Sequence, residues 1–341
     1  MMNHTSLEDT ACALVAAGKG ILAADESFRT IQKRFAAINI ESSEENRRAY
    51  REMLFTTQGI EEFISGVILF DETIRQKTGD RTLFTEALSR KGIIPGIKVD
   101  TGTVPMPGHP GEKITSGLDG LRERLNTYRD QGARFAKWRA VITIGPRMPS
   151  RACIRANAHQ LALYAALTQE AEMVPIVEPE VLMDGDHDIA ACEESTLATL
   201  TTVFSALRDY GVSFEGMLLK PNMVVAGKQS PKQASIVEAA ETTVRTLRKT
   251  VPAAVRGIVF LSGGQSPELA TGRLNAMNVR GPHPWELSFS FGRALQDTAL
   301  KTWKGSKANI AAAKKEFIHR AKCCGAARYG TYSENMEKMA A

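Results

Sequence analysis

The sequence predicts a single-domain (β/α)8 barrel, and three observations carry that reading. Short apolar runs rich in β-branched residues recur eight times along the chain, with amphipathic helical patterns between them. The runs are apolar throughout rather than alternating, as expected of strands buried on both faces of a parallel sheet. Charged and hydroxyl residues collect at the ends of those runs, where barrels keep their chemistry. A doubly wound open sheet is the competing fold. If it bound a dinucleotide it would carry a G-x-G-x-x-G turn after its first strand, and the stretch AADESFRT has none.

Taken in order, an N-terminal helix over about 6–17 precedes a first strand at Lys19–Asp25. The second and third runs are Ile64–Phe70 and Ile93–Val99, and the fourth is Arg134–Ile142. The fifth to eighth are Met173–Glu180, Gly216–Asn222, Gly257–Gly264 and Glu286–Ala294. The helix in Ser42–Thr57 opens with Ser42 and Glu45 at capping-box spacing. LDGLRERLNTYRDQG stops at Gly132, Leu197, Leu200, Phe204 and Leu207 share one helical face, and a helix within Ser230–Pro252 ends at proline. The barrel is expected over 18–303, with a C-terminal helix and tail over 304–341, and the whole of 1–341 forms one domain.

Of the 341 residues 43% are hydrophobic and 24% charged, a globular composition, with a formal charge of +5. The basic residues are scattered among acids rather than clustered, which argues against nucleic acid and fits an anionic small molecule. The five cysteines contain no C-x-x-C pair, pointing to reduced thiols in a cytoplasmic protein. The N-terminus lacks a basic leader, and no run is long enough for a membrane span. The six histidines show no ligand spacing such as H-x-x-x-H, so neither metal nor cofactor is expected. The acidic DGDHD (Asp184–Asp188) reads as a loop and helix start, since it lacks calcium-loop spacing.

Lys98, Lys137, Glu178 and Lys220 lie within or at the ends of apolar runs. Unpaired buried charges are costly, so these should face one another or a ligand at the barrel mouth. A structural ion-pair network is the alternative. Lys220, after Met217, Leu218 and Leu219, has the most apolar neighbourhood. Burial disfavours the ammonium form and leaves an amine able to form a Schiff base with a carbonyl. Lys137, near Arg139, suits a second cation, with Glu178 as proton carrier. The seventh and eighth strand ends, LSGGQS and SFGRA, are Gly/Ser loops where barrels bind phosphate, and Arg293 follows them.

These stretches together, GKGILAADES, GVILFDET, GIKVD, FAKWR, PIVEPE, DGDHD, LLKPNMV, FLSGGQS and FSFGRALQ, resemble class I (Schiff-base) fructose-1,6-bisphosphate aldolase. The match runs in the family's order from about Gly18 to Trp303. The resemblance implies a metal-free barrel lyase, usually a homotetramer. It would cleave fructose 1,6-bisphosphate reversibly to dihydroxyacetone phosphate and glyceraldehyde 3-phosphate, in glycolysis and gluconeogenesis. By position it makes Lys220 the Schiff-base lysine, Glu178 the general acid/base and Lys137 an assisting cation. Asp25 would handle the hydroxyl proton in carbon–carbon cleavage, with Glu180 as a supporting carboxylate. Ser262, Gly263, Gly264, Ser290, Gly292 and Arg293 resemble the site for the phosphate nearer the ketone. Ser27, Thr30, Lys33, Arg34, Lys98 and Arg139 resemble the distal phosphate site.

Two stretches depart from the family pattern. The loop after ADES usually reads like Thr-Gly-Ser and here is Phe28-Arg29-Thr30. Animal members end in a mobile segment whose terminal tyrosine takes part in proton exchange. This chain has Tyr329 and Tyr332 at other places, with alanine last. Another Schiff-base aldolase, a metal-dependent lyase and a non-catalytic scaffold are the rival functions; chelator insensitivity would dismiss the second, and a scaffold needs none of Lys220, Lys137, Glu178 and Asp25.

Overall fold

The computed structural model describes residues 4–338. The strands are β1 (Gly20–Ala23), β2 (Ile64–Leu69), β3 (Ile94–Lys98), β4 (Thr103–Pro105), β5 (Lys113–Thr115), β6 (Phe135–Ile142), β7 (Val174–Val181), β8 (Leu218–Leu219), β9 (Gly257–Phe260) and β10 (Glu286–Phe291). Eight of them close a parallel barrel in the order β1-β10-β9-β8-β7-β6-β3-β2. The helices are α1 (His4–Leu14), α2 (Phe28–Ala36), α3 (Glu44–Phe55), α4 (Phe84–Arg90), α5 (Leu121–Asp130) and α6 (Arg151–Glu170). They continue with α7 (Ile189–Asp209), α8 (Ile236–Thr250), α9 (Pro267–Val279), α10 (Arg293–Trp303), α11 (Ile310–Arg328) and α12 (Glu334–Lys338).

Each of the eight apolar runs contains one barrel strand. The sixth differs most, because only Leu218 and Leu219 of it form strand. Pro221 has no N–H to continue the ladder, yet the chain stays tied down. The Lys220 N–H donates to Val177 O at 2.8 Å, and Pro221 O accepts from the Leu261 N–H at 3.2 Å. The antiparallel hairpin β4–β5 lies outside the eight-run pattern. Its strands are three residues each and mostly exposed, too short and polar to register as apolar runs.

Two helix starts move. Ser43, not Ser42, caps α3, its side chain accepting from the Asn46 N–H. The helix expected within Ser230–Pro252 begins only at Ile236, after the Ser235 cap. Asp188 caps α7 by accepting from the Ala191 N–H at 2.9 Å, so the end of DGDHD is indeed a helix start.

The N-terminal helix closes the bottom of the barrel. Leu7, Ala11 and Leu14 of α1, with Val15, form one buried cluster with Ile21, Ile68, Phe135, Ile176, Leu218 and Val259 from the strands. Gly96 lets the Phe135 ring into the interior, since a Cβ there would fall 2.3 Å from it. With that end plugged, the barrel interior is approached from the C-terminal mouth, where the cleft lies.

Candidate active site

At that mouth lies a cleft of about 1180 Å³. Among its lining residues Lys98, Lys137 and Lys220 meet Asp25, Asp100 and Glu178 in one ion-pair cluster. Lys137 (β6), Glu178 (β7) and Lys220 (just past β8) are each less than 5% exposed. Their neighbouring strands bring them together: Trp138 of β6 is in register with Val177 of β7, and Val177 with Leu219 of β8.

Glu178 bridges two lysines. Its Oε1 lies 3.2 Å from Lys220 Nζ and its Oε2 3.2 Å from Lys137 Nζ. Lys137 also meets Asp25 Oδ2 at 2.8 Å and Asp100 Oδ2 at 4.0 Å. Burial works against the Lys137 ammonium, but Asp25, Glu178 and Asp100 outweigh it and raise its pKa above the ordinary lysine value. Burial pushes the Asp25 carboxyl up, while Lys137, Lys220 and Lys98 more than offset it and lower its pKa to about 2. In the free protein these neighbours favour Lys137 as a cation and Asp25 as an anion. Three apolar residues precede Lys220 in sequence, and the Glu178 carboxylate meets its amine.

The turn that presents Lys220 is braced from within. Asn222 accepts from the Val181 N–H at 3.0 Å and donates to Thr196 Oγ1 at 3.2 Å. Glu180 is occupied differently from Glu178, accepting from Arg139 Nε at 2.5 Å. That pairing, after the opposing effect of burial, raises the Arg139 pKa.

Ser262, Gly263, Ser290, Gly292 and Arg293 line the other side of the cleft. Gly263 and Gly264 both take positive φ, +57° and +91°, which only glycine adopts freely and which turns the loop sharply. Ser290 Oγ is buried with no protein partner among the described residues, and Arg293 is exposed. Gly264 does not line the cleft; it packs behind the loop, where an added Cβ would sit 3.2 Å from the Arg293 guanidinium.

On the far rim, Ser27, Thr30, Lys33 and Arg34 of the β1–α2 segment also line the cleft. The Ser27 and Thr30 hydroxyls lie 3.1 Å apart. Arg34 is not a free anion ligand. Its two terminal nitrogens are spent on Glu26, on Asp297 at 3.0 Å and on Gln296 at 3.3 Å. Lys98 is likewise held, 2.6 Å from Asp100 Oδ1.

Asp100 escaped the sequence reading as a site residue. Its signal was a charge two residues after Lys98 at the end of a strand run, and it turns out 7% exposed and in contact with two lysines. Tyr329 and Tyr332 do not line the cleft: the Tyr332 hydroxyl donates to Glu337 at 2.7 Å, and Tyr329 packs beside Gly18. Ala341 lies outside the described residues. His319, Cys323 and Glu337 bring three donor atoms within 4.8 Å of one another on α11 and α12. The histidine spacing gave no hint of this group because the i+4 partner is a cysteine. Glu337 there is already neutralised by Arg320.

A parallel barrel with lysines joined by a carboxylate at its open mouth, facing a glycine–serine loop, is an arrangement suited to a lyase that works through a Schiff base on anionic carbonyl compounds. The family profile described as "Fructose-bisphosphate aldolase class-I" matches residues 6–341. The chain belongs to that family. It is 57% identical to the "Probable fructose-bisphosphate aldolase class 1" of Xanthomonas axonopodis pv. citri, covering 97% of this chain and 99% of that one. It is 55% identical to the fructose-bisphosphate aldolase of Dictyostelium discoideum, over 95% and 92% of the two chains. Among solved structures, the Plasmodium falciparum fructose-bisphosphate aldolase, in complex with TRAP and a small-molecule inhibitor, superposes with a TM-score of 0.95. It shares 50% identity over 96% of this chain and 95% of that one. Among the described residues no helix is long and apolar enough to cross a membrane.

Proposed function

We propose that the chain is a class I fructose-bisphosphate aldolase, cleaving fructose 1,6-bisphosphate reversibly to dihydroxyacetone phosphate and glyceraldehyde 3-phosphate through a Schiff base at Lys220. The observation that carries the mechanism is Glu178 seated 3.2 Å from both Lys220 and Lys137. Lys220 attacks the substrate ketone once Glu178 has taken its proton. Glu178 then protonates the carbinolamine hydroxyl, which leaves as water and gives the iminium. Lys137 keeps a positive charge beside this exchange and favours the ionised carboxylate. Asp25 accepts the C4 hydroxyl proton as the C3–C4 bond breaks, and the iminium takes up the electron pair as an enamine. Glu180 supports the site by orienting Arg139.

The phosphate next to the ketone is assigned to Ser262, Gly263, Ser290, Gly292 and Arg293, with Gly264 shaping the loop behind them. The unpartnered Ser290 hydroxyl and the exposed Arg293 suit an incoming anion. The distal phosphate is assigned to Ser27, Thr30 and Lys33, with Lys98 and Arg139 at the cleft wall. Because the iminium is the electron sink, no metal is required; full loss of activity in EDTA, restored by zinc, would overturn this. A cytoplasmic homotetramer is the expected working form, in keeping with Arabidopsis thaliana relatives named cytosolic. Borohydride reduction with dihydroxyacetone phosphate, followed by peptide mapping, tests the reading: one label is expected, on the peptide containing Lys220.

A further inference from the structure

Phe28 opens α2 between the Ser27 and Thr30 hydroxyls at the rim of the cleft, and it is 51% exposed. A half-exposed phenylalanine would ordinarily be loosely held, but here the ring has two specific partners. Phe70, which directly follows β2 and lines the cleft, meets it edge-on, with ring centroids 5.2 Å apart at 86°. The guanidinium of Arg47 on α3 stands over it, 4.8 Å from the centroid. Arg47 is in turn fixed by a fork of hydrogen bonds to Glu72, at 2.8 and 2.5 Å. The contacts form a closed circuit, because both Phe70 and Glu72 belong to the chain leaving β2. The first turn of α2 is thereby fastened to the turn that directly follows barrel strand β2. At the other end of α2, buried Ile31 and Phe35 and the Arg34 ion pairs hold the helix independently.

We propose that Phe28 is a positioning residue for the distal phosphate. The Phe70–Phe28–Arg47–Glu72 stack holds Ser27, Thr30 and Lys33 in place and so sets the preference for bisphosphate over monophosphate sugars. This rests on the aldolase reading above. Phe28 touches no substrate in this account; it acts through its neighbours. An edge-on aromatic pair and a cation over a ring are each modest contacts, so loss of both is expected to cost about tenfold in the function they support.

The test compares kcat/KM for fructose 1,6-bisphosphate with that for fructose 1-phosphate, which lacks the distal phosphate, in the full chain. Phe28→Ala is expected to lower the bisphosphate value about tenfold, mainly through KM, and to leave the 1-phosphate value within about twofold. Phe28→Tyr, which keeps the ring, should restore the wild-type ratio. Phe28→Leu, which keeps bulk but offers no ring face to Arg47, should fall between and serves if the alanine variant folds poorly. Parallel loss on both sugars, or an unchanged ratio in Phe28→Ala and Phe28→Leu, overturns the inference alone. A wild-type chain that cleaves neither sugar overturns the aldolase reading and this inference with it.

Discussion

Lys220 and Glu178 face each other at the floor of the cleft with Nζ 3.2 Å from Oε1. Schiff-base formation demands a proton acceptor within reach of the amine, and a donor later for the hydroxyl that leaves. One carboxylate does both only if its charge is stabilised from elsewhere, and Lys137 on its second oxygen supplies that. Within this ion-pair cluster the charges also match, with Asp25, Asp100 and Glu178 against Lys98, Lys137 and Lys220. A buried network is tolerable when its members are paired.

Glu178→Gln keeps the shape but removes the proton carrier and one of the three negative charges. The expected result is a kcat lower by roughly 10²- to 10⁴-fold with KM changed far less. Rapid-quench borohydride trapping should show the loss as slower Schiff-base formation. Normal trapping with slow turnover would move the proton transfer to another group.

Arg293→Ala should weaken substrate binding while sparing the fold. The side chain is exposed, whereas a hydrogen bond to a charged partner contributes roughly 1.5–3 kcal/mol. The KM for the bisphosphate is expected to rise about tenfold or more, with a thermal midpoint close to wild type. An unchanged KM would show that Arg293 does not touch phosphate.

Arg34 and Lys33 are adjacent in sequence but should behave as opposites. Arg34→Ala leaves Glu26 without one guanidinium partner in a nearly buried site, and breaking such a pair costs about 3 kcal/mol. Its denaturant midpoint should fall clearly. Lys33→Ala should leave that midpoint unchanged and raise KM for the bisphosphate, because Lys33 lines the cleft and forms no ion pair among the described residues.

That contrast marks where the sequence was legible and where it was not. Eight apolar runs gave the barrel, and charges inside them gave Lys137, Glu178 and Lys220, because burying a charge constrains where it can go. Which charge partners which is a matter of three-dimensional neighbours. The resemblance placed Arg34 with the distal phosphate residues, while its ion pairs with Glu26 and Asp297 come from contacts that spacing does not show; likewise it takes the fold to set Glu178 beside Lys220 from the neighbouring strand. Asp100 directly follows the third apolar run, and position alone does not separate a site carboxylate there from a loop acid. Ser42 and Ser43 are equal candidates by spacing, and only the backbone chooses between them.

Asp25 ties the site to acid stability. Its carboxyl is lowered from the ordinary 3.8 to about 2, so the folded state holds the ionised form more tightly than the unfolded chain does. The contribution, roughly 2 kcal/mol, is fully present above the unfolded value and is lost as pH falls from there through the folded one. Asp25→Asn should be less stable than wild type at neutral pH, and the difference should shrink across that acid window. Denaturant midpoints measured at several pH values would reveal it; a constant difference would mean that Asp25 titrates elsewhere.

The two buried lysines separate attack from assistance. Lys220→Arg should abolish borohydride trapping, because a guanidinium stays protonated and cannot add to a carbonyl. Lys137→Met keeps the stem and the attacking amine at Lys220, so trapping should persist but turnover should slow. The loss has a physical source. Asp25 and Glu178 would both lose the cation they share, and negative charge developing during proton transfer would go unstabilised. Lys137 is also the less suitable nucleophile, since its three carboxylate neighbours raise its pKa and hold it as ammonium. A labelled peptide containing Lys137 or Lys98 would reverse the assignment while keeping the reaction class. An active enzyme with no labelled peptide at all would remove the Schiff base from the mechanism.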